Sequence, residues 1–228
     1  MRAAAVIALG LALRLSVIAL GPGLPYDIGL FQEWAARMAA GGPAGFYDPS
    51  RFADYPPGLP ILLWPVGVLF GTVPPLAVRL LSIPFDLAIV AAVMWIVART
   101  RPARAWLAAG LAYALNPALA IAGPYWGQLD AVASLLALLA IVATSRRRFA
   151  AAGVLTALAV LAKPQAAVVA APLALVTLAE LVRRRDVRPL ASWAVSGAVT
   201  AAVLVIPFGP TPEKLAAFWR DAAAVQES

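Results

Sequence analysis

A small set of polar and aromatic side chains stands at the edges of otherwise apolar runs. These residues carry what chemistry the sequence can do. Asp27 and Glu33 follow the first run. Asp54 and Tyr55 open the stretch Asp54-Tyr55-Pro56-Pro57-Gly58. Trp126, Gln128 and Asp130 fall in Tyr125-Trp126-Gly127-Gln128-Leu129-Asp130, and Lys163 and Gln165 flank Pro164. A polar group at a hydrocarbon boundary costs free energy unless it is paired or lines a wet cavity, so their gathering at run ends points to a shared site. A carboxylate there can take a proton from a hydroxyl, and a lysine can hold a phosphate. Acid, cation, amide and aromatic groups together suit an anionic lipid head group that carries a polar cargo.

Each of these residues also has a plainer reading. Asp27 and Asp54 are good helix N-caps. The prolines after Asp54 suit a rigid turn into a helix, where a missing N–H costs nothing. Tyr125 and Trp126 fit an interfacial aromatic belt, and Lys163 fits a snorkelling side chain. Asp130 begins the next apolar run.

Composition removes several chemistries. The mean hydropathy is +0.86, 63% of residues are hydrophobic and 13% are charged. A soluble domain carries about 25% charged residues, so this is a multi-span membrane protein. There is no cysteine, hence no disulfide or thiolate, and no histidine, the commonest general base and zinc ligand. Acid–base work falls to carboxylates, Lys or Tyr. No metal is implied by ligand count, and no cofactor is expected. The net charge of +7 is not a nucleic-acid footprint, because the arginines lie between apolar runs rather than on one face. The abundance of Ala and Arg, with Lys only at 163 and 214, is that of a high-GC bacterial gene.

The elements that position these groups are apolar runs at about 3–20, 58–73, 74–98, 104–123, 129–144, 149–162, 166–182 and 189–208. Residues 1–20 read as a retained first span, since Arg14 interrupts the run and no small-x-small cleavage site follows. Three basic connections alternate with arginine-free ones: Arg99, Arg101 and Arg104; Arg146, Arg147 and Arg148; then Arg183, Arg184, Arg185 and Arg188. The positive-inside rule puts all three in the cytoplasm, together with the N-terminus. The first loop, 21–57, the connections 123–130 and 162–166, and the stretch 209–228 then face outward. Parity asks for an odd number of crossings between residues 57 and 99. That favours three short ones, broken at Gly71–Pro75 and Ile83–Phe85, over a re-entrant segment. Asp86 has Arg79 as its candidate partner.

Residues 27–40 read as an interfacial amphipathic helix, with Ile28, Phe31, Ala35 and Met38 on one stripe. The stretch 211–228 repeats the pattern with Leu215, Phe218, Trp219 and Ala222. The fold class is all-α: a polytopic transmembrane helical bundle with interfacial amphipathic helices in the outer loops. No internal repeat is evident.

The order of motifs then resembles a known group. An acid follows the first span; then come a helix with Phe31 and Trp34, a Gly-rich stretch before Phe46-Tyr47, Asp54-Tyr55-Pro56-Pro57-Gly58, Asn116-Pro117, Trp126-Gly127-Gln128-Leu129-Asp130 and Lys163-Pro164-Gln165. This resembles GT-C-type membrane glycosyltransferases, namely bacterial proteins related to the mannosyltransferases of glycosylphosphatidylinositol assembly, and glycosyltransferase family 87. The resemblance implies a GT-C-like bundle in the plasma membrane, a polyprenyl-phosphate sugar donor, a mannose-like sugar and an active site on the outer face. It implies Asp27 as catalytic base and Lys163 at the donor phosphate. Trp126, Gln128 and Asp130 would shape the sugar or acceptor site, with Glu33 a second acid and Asp54, Tyr55 and Gln165 beside substrate. Relatives of that kind are about twice as long. The expected organisation is a transmembrane module over 1–208 and the start of a second, truncated outer loop over 209–228. A transporter or lipid flippase, or a non-catalytic membrane assembly subunit, is the alternative. Transporters usually carry their ionisable groups at mid-membrane, whereas here they gather at run ends.

Overall fold

The computed structural model describes residues 2–101 and 104–224. The centre of the first arginine connection (102–103) and the close of the stretch 209–228 lie outside the described residues. Among the described residues every regular element is helical, as the all-α reading expects. In chain order these are α1 (Arg2–Ala19), α2 (Pro25–Gly41), α3 (Gly58–Phe70), α4 (Pro75–Leu81), α5 (Ile83–Thr100), α6 (Ala105–Ala114), α7 (Pro117–Ala120), α8 (Asp130–Ser145), α9 (Phe149–Ala162), α10 (Ala167–Arg184), α11 (Arg188–Val205) and α12 (Pro212–Ala224). A π-helical turn covers Ile121–Tyr125.

Among the described residues four stretches are long and apolar enough to cross a membrane: Arg2–Ala19, Pro75–Thr100, Pro164–Arg184 and Arg188–Phe208. A fifth results if Ala105–Ala114 and Pro117–Tyr125, bent by 42°, count as one broken span. The chain is a polytopic membrane protein. Helix α3 has 13 residues, about 20 Å at 1.5 Å per residue, which falls short of the roughly 30 Å of hydrocarbon. The expected three crossings between 58 and 98 are not found. Helices α4 and α5 together make one apolar run of 26 residues. Pro84 lies in the first turn of α5, where no N–H is missed. The Asp86 N–H donates to the Ser82 carbonyl at 3.1 Å, the first bond of α5, so the interruption between α4 and α5 is confined to Ser82.

The chain divides into two compact units, Met1–Glu33 with Val73–Leu135, and Trp34–Thr72 with Leu136–Ser228. In the first, α1 packs on α5 and α6 around Val6, Val90, Met94 and Ala114. Arg14 is fully buried there. Its Nε donates to Asp86 Oδ2 at 3.1 Å, and its Nη1 donates to the carbonyls of Gly10 and Ala114 at 3.1 and 2.9 Å. Asp86 therefore pairs with Arg14 rather than with Arg79, whose guanidinium is taken up by three backbone carbonyls. A buried charge in an apolar setting is tolerable only with such a set of partners.

In the second unit α9 packs on α11, and a Cβ on Gly153 would run into the Trp193 carbonyl oxygen of α11. Opposite it, a Cβ on Gly197 would lie 3.3 Å from the Gly153 carbonyl oxygen. Small residues let two backbones approach where lipid gives no hydrophobic drive. Arg148 precedes the first turn of α9 and Lys163 follows its last. On the arginine side Arg147 Nη1 and Arg184 Nε each lie 2.9 Å from a Glu180 carboxylate oxygen.

The segment 46–57 and α12 pack together. Phe46 and Phe208 are buried with ring centroids 6.0 Å apart, and Trp34 meets Phe46 edge-on at 5.9 Å. Arg37, also buried, donates to the Phe46 and Phe52 carbonyls at 3.1 and 3.3 Å. Helix α12 is fastened by polar contacts. Asp221 Oδ2 accepts the Ala53 N–H at 3.0 Å. Lys214 Nζ donates to the Ala44 and Phe208 carbonyls at 3.0 and 2.9 Å, and Arg220 Nη2 donates to Pro49 O at 3.1 Å.

The two amphipathic helices stand differently against the interfacial reading: α2 departs from it and α12 agrees with it. Ile28, Phe31, Ala35 and Met38 of α2 are all at most 3% exposed, so protein rather than lipid covers that stripe. In α12 the buried positions are Ala217 and Asp221, while Leu215 and Trp219 are 50% and 68% exposed. The contacts of Lys214 and Asp221 hold the polar flank, while Phe218 and Ala222 are half-buried and Leu215 and Trp219 stay open, as an interfacial stripe would.

Candidate functional site

Asp27 sits in the first turn of α2, three positions into a helix that Pro25 opens. It is therefore not the N-cap. Its charge still favours the helix N-terminus. Asp27 Oδ2 accepts the indole N–H of Trp126, so the two are brought together. Trp126 follows the π-helical turn, whose wider winding is shown by its own N–H donating to Ile121 O at 2.8 Å. Gly127 then takes φ +92°, and a Cβ there would lie 2.6 Å from Ile28 Cγ1, so the chain leaves the turn hard against the start of α2. Gln128 is partly buried, and its Oε1 is shut from solvent with no hydrogen-bond partner. Asp130 is exposed at the first position of α8, as expected from the sequence, and Glu33 is exposed on α2. These residues belong to the first unit.

The second unit holds a cavity of about 500 Å³. Asp54, Tyr55 and Gln165 line it, together with Tyr47, Lys214 and an apolar wall that includes Phe218 and Trp219. Asp54 does not cap α3. The N-cap is Pro57, without a side-chain bond, and Asp54 instead stands in the irregular segment on the cavity wall. Lys163 has an extended backbone after α9, and its Nζ lies 5.8 Å from the Tyr55 ring centroid, a cation–π approach. The Tyr47 hydroxyl donates to the Tyr55 carbonyl at 2.7 Å. Burial, with the charge of Asp54 second, pushes the Tyr47 phenol well above its ordinary range, so it stays a protonated donor. Asp48 is the opposite case. The Ser50 N–H and hydroxyl donate to its Oδ1 at 2.9 and 2.7 Å and hold its carboxyl below the usual range. Among the described residues no three His, Cys, Asp or Glu side chains come together where they could hold a metal ion.

Sequence reasoning missed Tyr47, Lys214 and the aromatic wall of this cavity. The signal available was Lys214, the second of the two lysines, in a stretch whose apolar stripe had been noted. It also missed Arg79, whose hydrogen-bond partners Pro124, Gly21 and Ile18 all offer backbone carbonyls.

The sequence profile of glycosyltransferase family 87 matches residues 52–227. The matched stretch holds Asp54, Tyr55, Trp126, Gln128, Asp130, Lys163 and Gln165, whereas Asp27 and Glu33 precede it. No curated protein and no solved structure shows a significant match to the chain.

Proposed function

This chain belongs to glycosyltransferase family 87, and we propose that it transfers a mannose-like sugar from a polyprenyl-phosphate donor to an acceptor hydroxyl at the outer face of the plasma membrane. The observation that carries the reading is the Asp27 carboxylate, fixed on a helix turn by the Trp126 indole N–H in a chain with no histidine or cysteine. The acceptor oxygen attacks the anomeric carbon, the bond from that carbon to the phosphate oxygen breaks, and the acceptor proton passes to Asp27. A neutral indole donor holds a carboxylate in place without neutralising its charge.

The departing polyprenyl phosphate takes up negative charge against Lys163, with Tyr55 behind the ammonium. The cavity of about 500 Å³, apolar with a few polar groups, suits a lipid-linked substrate, and Asp54, Tyr55 and Gln165 contact it there. The unpartnered Gln128 Oε1 supports a role in holding a hydroxyl-rich ligand, with Asp130 and Glu33 as further contacts. Topology follows the arginines. The sides of α9 that carry Arg147 and Lys163 face the cytoplasm and the exterior. Residues 1–208 form the membrane module, and 209–224 lie in a second outer segment.

The test is transfer by membranes containing the protein, supplied with a panel of polyprenyl-phosphate sugars and, in parallel, nucleotide sugars. Transfer from a polyprenyl-phosphate hexose is the expected result. Transfer from a nucleotide sugar alone would overturn the donor assignment.

A further inference from the structure

We infer that Arg79 is a positioning residue for the Asp27–Trp126 pair, an inference that rests on Asp27 being the base. Arg79 is 5% exposed, and its guanidinium reaches three carbonyls in two chain segments. Nε donates to Pro124 O at 2.6 Å, Nη1 to Gly21 O at 2.8 Å and Nη2 to Ile18 O at 3.0 Å. Ile18 and Gly21 lie at the C-terminal end of α1, where carbonyls lack helical partners. Pro124 lies in the π-helical turn, two residues before Trp126, and Gly21 lies six before Asp27. The guanidinium thus sits between the segment that delivers the carboxylate and the segment that delivers the indole.

Neighbouring contacts fix the same junction. The Leu24 N–H donates to Tyr125 O at 3.2 Å, and the Arg79 Cζ lies 6.0 Å from the Tyr125 ring centroid. Gly23 has φ +87°, and a Cβ there would collide with the Tyr125 carbonyl oxygen. No other side chain has this planar, three-armed geometry. A lysine ammonium is a single point and cannot span three carbonyls set by two segments. A cap on α1 alone would need only Ile18 and Gly21. The bond to Pro124 is what ties the cap to the turn bearing Trp126.

The test compares Arg79→Lys, Trp126→Phe, their double variant and Asp27→Asn in the whole protein in membranes, with kcat and donor KM read separately. Arg79→Lys should lower kcat by about 10²-fold, the scale of a misplaced catalytic group, with donor KM unchanged. In the double variant the losses should be far from multiplicative, because both act on one pair. Multiplicative losses, or an Arg79→Lys kcat within twofold of wild type, overturn the inference. If Asp27→Asn itself turns over normally, the reading of Asp27 fails, and the positioning role with it. Should Arg79→Lys not assemble, Gly23→Ala decides. It disturbs the same junction with the guanidinium present, and an unchanged kcat there overturns the proposal.

Discussion

Asp27 and Asp54 sit in the same stretch of sequence before apolar helices, and the structure gives them opposite surroundings. Asp27 stands on a regular helix turn and accepts one N–H from a half-exposed indole. Asp54 stands in an irregular segment on the wall of a cavity, beside a phenol kept protonated first by its own burial and second by the charge of Asp54. Neither caps its helix, although their spacing before apolar runs suggested that both would. The difference teaches that a carboxylate's role is set by what its neighbours do to charge. The first is held in place by a neutral donor, as a base needs. The second borders an apolar space, as a binding wall needs.

The contrast presumes that both groups face outward, and that is testable in all-or-none fashion. The chain lacks cysteine, so single cysteines at exposed Trp126 and Gln165 should react with an impermeant maleimide in intact cells. One at Arg147 should not. Labelling at 147 without labelling at 126 would reverse the orientation.

Next in size is Asp27→Asn. The amide oxygen still accepts the Trp126 N–H, so thermal stability and donor binding should hold. Transfer should fall by at least about 10²-fold, the usual contribution of a general base. Near-normal turnover would erase the distinction drawn between the two carboxylates. Lys163→Gln should weaken donor affinity about tenfold or more, since a charge-assisted contact contributes about 1.5–3 kcal/mol. Lys163→Arg should weaken it less. Equal donor affinity in wild type and Lys163→Gln would return Lys163 to a snorkelling role. Asp54→Asn should raise donor KM about two- to tenfold, the worth of an ordinary hydrogen bond, and leave kcat alone. A fall in kcat instead would make Asp54 the rival base.

The smallest effect is on alkaline stability. Tyr47 is raised in the folded state, so above about pH 10 the unfolded chain releases a phenol proton that the folded one keeps. Stability therefore falls as pH rises past that point. Tyr47→Phe loses the bond to the Tyr55 carbonyl but should show a shallower alkaline decline in melting temperature. An identical slope would mean that Tyr47 titrates freely.

The apolar runs and their helices were legible because twenty-residue hydropathy survives any tertiary arrangement. The stripe of α2 was legible too, but not what covers it: Ile28 and Met38 read the same against lipid as against protein. The stripe of α12 was legible as well, but not how the helix is anchored, because Lys214 and Asp221 make contacts with residues about 170 positions away. Asp86 has its partner 72 positions off at Arg14, and nothing local points there. Arg79 was invisible as a site residue, since carbonyl partners leave no trace in residue types. The expected break at Ile83–Phe85 is no more than a one-residue interruption at Ser82, because Pro84 sits in the first turn of α5, where it misses no N–H.

The Gly153 seam has a consequence for biogenesis. Helix α9 leaves the ribosome before α10 and α11, yet the surface that fits its missing side chain belongs to α11. Until α11 has been synthesised, a 14-residue apolar helix, about 21 Å long, must wait in or beside the insertion machinery with its groove filled by something else. Gly153→Ala would therefore act on the yield of inserted protein, by blocking a late lateral closure, before it acts on any property of the finished molecule.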